Sequence, residues 1–242
     1  MKTAFVTGGS GDIGSAVCVA LAAKGYAVAV GYCKNKGRAE KVCEKIRNGG
    51  GVAATVRCDI SDTISIQKSV QIIKEQLGSP QVLINNAGSA DIGLFTDLSE
   101  EKLVRIINEN LVGAMLLTKA LLPDMIKRHY GKIVNISSVW GEVGASCEVA
   151  YSAAKAGLIG FTKGLAKEVA PSGINVNCIS AGLIDTKMNS ELSAEELTAI
   201  IDEIPAGRAG TPEDIANAVM FLISEQAQYL NGQTTRIDGA WC

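Results

Sequence analysis

Tyr151 and Lys155 stand in the run Tyr151-Ser152-Ala153-Ala154-Lys155, with Ser138 upstream, and together they supply an acid, a cation and a hydroxyl. On a helix the Tyr and the Lys share one face. A phenol with a reference pKa of about 10 exchanges protons poorly near neutrality unless a neighbouring ammonium stabilises its phenolate. Lys155 is spaced to do this. Taken singly, Ser138 is equally a strand-end cap and Lys155 a solvated helix charge. As a set they fit a small molecule that reacts at one atom, where acid, polarising hydroxyl and cation must converge.

The elements that would bring them together follow from the hydrophobic pattern. Short apolar runs rich in Val and Ile predict strands at 4–7, 27–31, 53–58, 82–85, 132–137, 174–179 and 235–238. Segments of helical period lie between them, at 13–24, 36–47, 64–77, 100–128, 150–170 and 212–224. Thr211-Pro212-Glu213-Asp214 reads as an N-cap, a first-turn proline and early acidic residues, while Gly131 and Pro171 follow helix ends. The pattern predicts an α/β chain of βαβ units, a single domain over 1–242 built on one doubly wound seven-stranded parallel sheet flanked by helices. The segment 191–210 is the least regular. It is apolar at Leu192, Leu197, Ile200, Ile201 and Ile204, and reads either as a lid over a site or as a surface helix.

Thr7-Gly8-Gly9-Ser10-Gly11-Asp12-Ile13-Gly14 follows the first predicted strand and opens the first helix, the context in which backbone amides hold a pyrophosphate. Gly8 permits the sharp turn, Gly9 and Gly11 leave room for phosphates, and Gly14 lets the helix pack closely. Gly8, Ser10, Gly11, Asp12 and Ile13 are the dinucleotide contacts expected there. After the second strand, Lys34 and Arg38 stand where a carboxylate would otherwise grip a ribose 2′-hydroxyl. Bases at that place favour a 2′-phosphate, hence NADPH over NADH. Asp59 is the candidate for the adenine amino group, with Ile60 beside it. Asn86-Ala87-Gly88, after the fourth strand, has small residues and amides where a cofactor must pass close to backbone.

Composition excludes several other classes. With 242 residues, 47% of them hydrophobic, the chain can bury a sizeable core, so disorder is not expected. A formal charge of −2 provides no field to gather nucleic acid or an anionic membrane. No N-terminal signal peptide or membrane-length apolar run is evident. The seven cysteines form no Cys-x-x-Cys pair and are accompanied by one histidine, His129, so neither a zinc site nor a disulfide framework is expected. Reduced thiols in a cytoplasmic protein are the reading that follows.

Thr7-Gly8, Ile13-Gly14, Asn86-Ala87-Gly88, Asn110, Ser138 and Tyr151-x-x-x-Lys155 occur in an order that resembles the short-chain dehydrogenase/reductase family, over essentially the whole chain. The resemblance implies a Rossmann fold, usually a homotetramer, and hydride exchange between a nicotinamide and an alcohol or carbonyl. It implies Tyr151 as the acid that protonates the carbonyl oxygen and Ser138 as the group that orients it. Lys155 would hold the nicotinamide ribose and stabilise the phenolate, and Asn110 would complete a proton relay. Ile184 and Thr186 are expected cofactor contacts. Two residues depart from the family pattern: Asp12 replaces a glycine, and Ala181-Gly182 replaces Pro-Gly. A carboxylate near the phosphates repels them unless it turns away or caps the helix.

Length and the ending Gly207-Arg208-x-Gly210-Thr211-Pro212-Glu213-Asp214 look most like 3-oxoacyl-[acyl-carrier-protein] reductases. That implies an acidic carrier as partner and a basic docking surface near the site mouth. Lys127 and Arg128 match the subfamily's basic residues, whereas Ser172 stands where a second is usual. The stretch from Ser138 to Val149 looks like the elongation factor P 5-aminopentanone reductases. On that alternative, Glu142 and Glu148 would pair with a substrate ammonium and Trp140 would cover its aliphatic arm. A third reading, of a different class, is a dinucleotide-binding sensor without catalysis.

Overall fold

The structure, a computed structural model, describes residues 1–187 and 193–242. Its strands are β1 (Thr3–Val6), β2 (Ala27–Tyr32), β3 (Val52–Arg57), β4 (Val82–Asn85), β5 (Gly131–Ser138), β6 (Ile174–Ala181) and β7 (Thr234–Ile237). They form one sheet in the order β3-β2-β1-β4-β5-β6-β7, with every pairing parallel. The doubly wound α/β sheet expected from the apolar runs is present, with small shifts at strand ends.

Its strands read as near-continuous apolar runs because both faces are covered. Neighbouring residues on β1 divide between two cores. Ala4 and Val6 join Val17, Leu21, Val30 and Val219 on one side, while Phe5 joins Leu83, Leu117, Ile133 and Val176 on the other. The layers above and below are α1 (Asp12–Ala23), α2 (Lys36–Asn48), α3 (Thr63–Leu77), α4 (Glu100–Ile107), α5 (Gly113–Lys127), α6 (Trp140–Val143), α7 (Val149–Val169), α8 (Ala194–Glu203) and α9 (Pro212–Leu222). Val6 pairs with Val30 on one side and Ile84 on the other, so the chain winds outward in both directions from β1 and β4. That reversal opens a crevice at the carboxyl ends of the strands, where ligands of such sheets bind.

Local signals set the helix starts. Thr211 and Asp214 cap α9 reciprocally, the Thr211 hydroxyl accepting from the Asp214 N–H at 3.2 Å and the Asp214 carboxylate from the Thr211 N–H at 2.8 Å. The helix predicted over 100–128 is not continuous. A π turn, Asn108–Val112, separates α4 from α5. The Asn110 side-chain amide fastens that turn inward by donating to Ser89 O at 2.8 Å and Ile106 O at 2.9 Å. Beyond it, Gly113 lies so close to Ile60 that an added Cβ would overlap the Ile60 carbonyl. Such turns recur at functional sites.

Of the segment read as lid or surface helix, Glu191 and Leu192 lie outside the described residues. The remainder contains α8, closed at its N-terminus by a Ser193–Glu196 capping box, and Ile204, which is buried. No helix among the described residues is long and apolar enough to cross a membrane.

Candidate active site and dinucleotide cradle

Ser138 ends β5, and Tyr151 and Lys155 occupy the first turns of α7 beside it. Two hydrogen bonds pin strand to helix: Lys155 Nζ donates to Ile136 O at 3.0 Å, and Ser137 Oγ donates to Lys155 O at 3.0 Å. The Ser138 hydroxyl hydrogen-bonds Tyr151 and also receives the Trp140 N–H at 3.2 Å. Lys155 Nζ lies 5.4 Å from the centre of the Tyr151 ring. Asn110 closes the group. Its Oδ1 is buried without a partner, and a Cβ built on Gly88 would strike that oxygen and come within 3.4 Å of Lys155 Nζ. The four residues picked out in the sequence, and Gly88, therefore meet at the carboxyl ends of β4 and β5.

Burial dominates the electrostatics. Lys155 is only 5% exposed, and desolvation draws its ammonium down to about 8. The expected lowering of the Tyr151 phenol is not what the structure gives. Burial first, then the nearby Glu148 charge, push it up to about 12, against the opposing hydrogen bond from Ser138. Tyr151 is thus held as a neutral phenol, a proton donor rather than a standing phenolate.

The glycine turn is fixed to the end of β4 by Thr7, whose Oγ1 accepts from Asn86 N at 2.9 Å and Ala87 N at 3.0 Å. Asn86 Nδ2 returns the contact to Thr7 O at 3.0 Å. Gly8 has φ +62, and a Cβ on Gly14 would overlap the Gly8 carbonyl. Gly11 caps α1 with no side-chain hydrogen bond, which leaves the first amides of that helix for an anion. Ser10 is part of the turn, and Ile13 packs against the core. A turn closed to side chains and opened by free amides fits a dinucleotide pyrophosphate, and the unpartnered Asn110 oxygen beside Gly88 fits a polar ligand further along the same crevice.

At the adenosine end Lys34 is exposed, while Arg38 is already committed to Asp12 at 2.6 Å. Asp12 neither caps α1 nor lies free in solvent. Asp59 accepts from Ser61 N at 3.0 Å and Ser61 Oγ at 2.6 Å, and these bonds, the hydroxyl foremost, hold its carboxyl below the usual range. It remains an acceptor. Ile60 and Ile184 are buried. Thr186 lies partly exposed on the loop after β6.

On the substrate side the two carboxylates separate. Glu142 is not available to a substrate ammonium, because Arg236 reaches from β7 and grips it at 2.7 and 3.3 Å. That guanidinium holds the Glu142 carboxyl below its usual range. Glu148 is half-buried beside Tyr151, and burial raises its carboxyl although the Trp140 side chain hydrogen-bonds it. The Trp140 ring meets Trp241 edge to face at 5.0 Å, and Trp241 Nε1 donates to Glu203 at 3.3 Å. Lys127 and Arg128 do not frame this mouth. They end α5 just before β5 begins, whereas Ser138 is at the other end of that eight-residue strand, roughly 25 Å away. The cause is topological: α5 runs antiparallel to the strands, so its C-terminus lies at their starts.

A family model described as "Enoyl-(Acyl carrier protein) reductase" matches residues 9–241. An "Uncharacterized oxidoreductase YmfI" of Bacillus subtilis (strain 168) is 40% identical over 99% of this chain and 98% of its own. The chain belongs to the short-chain dehydrogenase/reductase family. A second relative, "3-oxoacyl-[acyl-carrier-protein] reductase FabG" of Vibrio harveyi, is 38% identical over 98% of this chain and 96% of its own. A solved structure of a putative gluconate dehydrogenase from Agrobacterium tumefaciens superposes with a TM-score of 0.95 at 31% identity, over 99% of this chain and 95% of that one. The protein is thus an oxidoreductase of a family that takes nicotinamide dinucleotides.

Within this short-chain dehydrogenase/reductase, the sequence pattern did not reveal Arg236 and Trp241. They meet Glu142 and Trp140, in the stretch after β5, across about a hundred residues of chain, a separation that no local motif bridges. The cradle also makes a direct prediction. Gly14→Ala should cost about 1–3 kcal/mol by forcing its Cβ against the Gly8 carbonyl, read by denaturant titration, and should weaken dinucleotide binding in parallel. An unchanged titration with unchanged affinity would contradict the close approach.

Proposed function

We propose that this short-chain reductase converts a ketone to a secondary alcohol with NADPH, most nearly as a 3-oxoacyl-[acyl-carrier-protein] reductase does. The observation that carries the reading is the meeting of a neutral buried phenol, a buried ammonium and an unpartnered Asn110 oxygen around Gly88. A bound nicotinamide dinucleotide would supply the hydride that reaches the carbonyl carbon. Tyr151 gives its proton to the oxygen, which would otherwise become an alkoxide. Ser138 donates to the same oxygen and fixes its direction. Lys155 stabilises the phenolate left behind, and Asn110 positions the path that returns the proton. Lys34 would meet the 2′-phosphate and Asp59 the adenine amino group. Acid-base action of this kind contributes about 10²- to 10⁴-fold.

One observation favours the elongation factor P 5-aminopentanone reductase as a second reading. Glu148 places a half-buried carboxylate next to the reacting phenol, where a neutral acyl chain gains nothing from it and an ammonium would. Competition between acetoacetyl thioester and elongation factor P carrying the lysine-linked ketone separates the two. Reduction of the thioester alone would exclude the aminopentanone reading. Glu148→Gln should then slow an amine-bearing ketone about tenfold or more while sparing a neutral one. Equal slowing of both would remove Glu148 from recognition.

A cytoplasmic homotetramer is part of this proposal. Val104 on α4, Met115 on α5 and Val149 on α7 are 54%, 40% and 46% exposed, which supports helix-to-helix association. Light scattering should give four copies. A monomer at working concentration would contradict it.

A further inference from the structure

Asp12 joins three segments that surround the dinucleotide cradle. It is the first residue of α1, directly after the glycine turn. Its Oδ1 accepts from Arg38 Nη2 at 2.6 Å, in the first turn of α2, 26 positions on. Its Oδ2 accepts from the Lys187 N–H at 2.8 Å, 175 positions on, in the loop beyond β6. Asn35 sets the second of these segments, its side chain accepting from Arg38 N at 3.0 Å. Both oxygens of one carboxylate are therefore used, each by a different wall of the crevice.

The consequence for ligand choice comes from counting cations. Three basic side chains, Lys34, Lys36 and Arg38, follow β2, and Lys36 is paired with Glu40 at 3.3 Å, one turn along α2. Lys34 is exposed and in no ion pair among the described residues, whereas Arg38 is spent on Asp12. A phosphate monoester carries roughly −1.5 to −2 charges near neutrality. To serve it, Arg38 must leave Asp12, and the carboxylate then stands uncompensated near an anion. The pair is partly exposed, with side chains 36% and 26% accessible, so this exchange is resisted without being forbidden.

We propose that Asp12 is a specificity-setting latch, which withholds Arg38 from the ribose 2′-phosphate and with the same carboxylate ties down the loop at Lys187. The proposal rests on the reading that a nicotinamide dinucleotide occupies the glycine turn. It adds that discrimination between the phosphorylated and unphosphorylated forms is set below what Lys34 and Arg38 together would give. Asp12 acts here through Arg38 and the loop, so it is a positioning residue.

Equilibrium titration of the purified protein with NADP⁺ and NAD⁺ tests it, without turnover. If the unaltered protein binds neither, the reading of the cradle fails and the latch falls with it. If it binds, Asp12→Asn, which removes the charge but keeps an acceptor for Lys187, should tighten NADP⁺ about fivefold relative to NAD⁺. Arg38→Ala should cost NADP⁺ affinity less in the unaltered background, where only the screening of Asp12 is lost, than in the Asp12→Asn background, where it should abolish the gain. Equal tightening of both dinucleotides, or an Arg38→Ala loss of the same size in both backgrounds, overturns the withholding of Arg38. Hydrogen exchange reads the tether separately. The Lys187 amide should be protected in the unaltered protein and in Asp12→Asn, and faster in Asp12→Ala. The same exchange rate in all three overturns that half. Arg38→Ala lies on the surface and keeps the test open should an Asp12 variant not fold.

Discussion

Tyr151→Phe should lower kcat by about 10²- to 10⁴-fold with dinucleotide affinity largely kept. The substitution removes one oxygen and leaves the ring that packs near Lys155. Because burial and the Glu148 charge hold the phenol up to about 12, it is protonated throughout the physiological range, and its absence takes away the proton the carbonyl oxygen must receive. No other side chain replaces it. Ser138 is a far weaker acid, and Lys155 is turned to the Ile136 carbonyl. Stopped-flow turnover with a fluorescence titration of the dinucleotide separates the two quantities. A variant that turns over normally would remove Tyr151 from the reaction. One that fails to bind the dinucleotide would make the role structural.

Lys155→Met should abolish measurable turnover and yet stabilise the protein. Burial lowers the Lys155 ammonium from 10.5 to about 8, so below pH 8 the lysine is charged in both states and the folded state carries the desolvation cost. The unfolded chain binds the extra proton between those values, and stability therefore rises as pH rises from about 8 toward 10.5. The cost is on the order of 3 kcal/mol, less what the bond to Ile136 O returns. A methionine avoids it. The gain in denaturant midpoint should be largest at pH 7 and fade by pH 10. For the unaltered enzyme, kcat/KM for the dinucleotide should fall as pH passes through about 8, when the cation is lost. A destabilised Lys155→Met protein, or a gain that grows with pH, would contradict the buried ammonium.

Most of the frame was legible because each signal was local. The glycine turn sat between an apolar run and a helical period, and Tyr151 and Lys155 were one turn apart. Asn110 was placed by resemblance, but the π turn that holds it was not visible, since a run of helical residues does not state its hydrogen-bond step. The neutral, elevated phenol was also hidden. Sequence shows that an ammonium is near, whereas the sign of the shift depends on how deeply the phenol is buried and on Glu148. Glu142 looked free for a ligand until Arg236 came alongside it in space. The same holds for Asp12, whose two partners come from α2 and from the loop beyond β6.

On the proposed function, this site reduces a ketone with Tyr151 as the acid. Loss of NADPH absorbance, followed with a panel of ketones that includes acetoacetyl thioester and analysed for alcohol product, tests it most directly. One secondary alcohol should form per NADPH consumed, and Tyr151→Phe should consume NADPH about 10²- to 10⁴-fold more slowly. Tight NADPH binding with no consumption for any ketone would contradict it, and would leave a dinucleotide-binding sensor in its place.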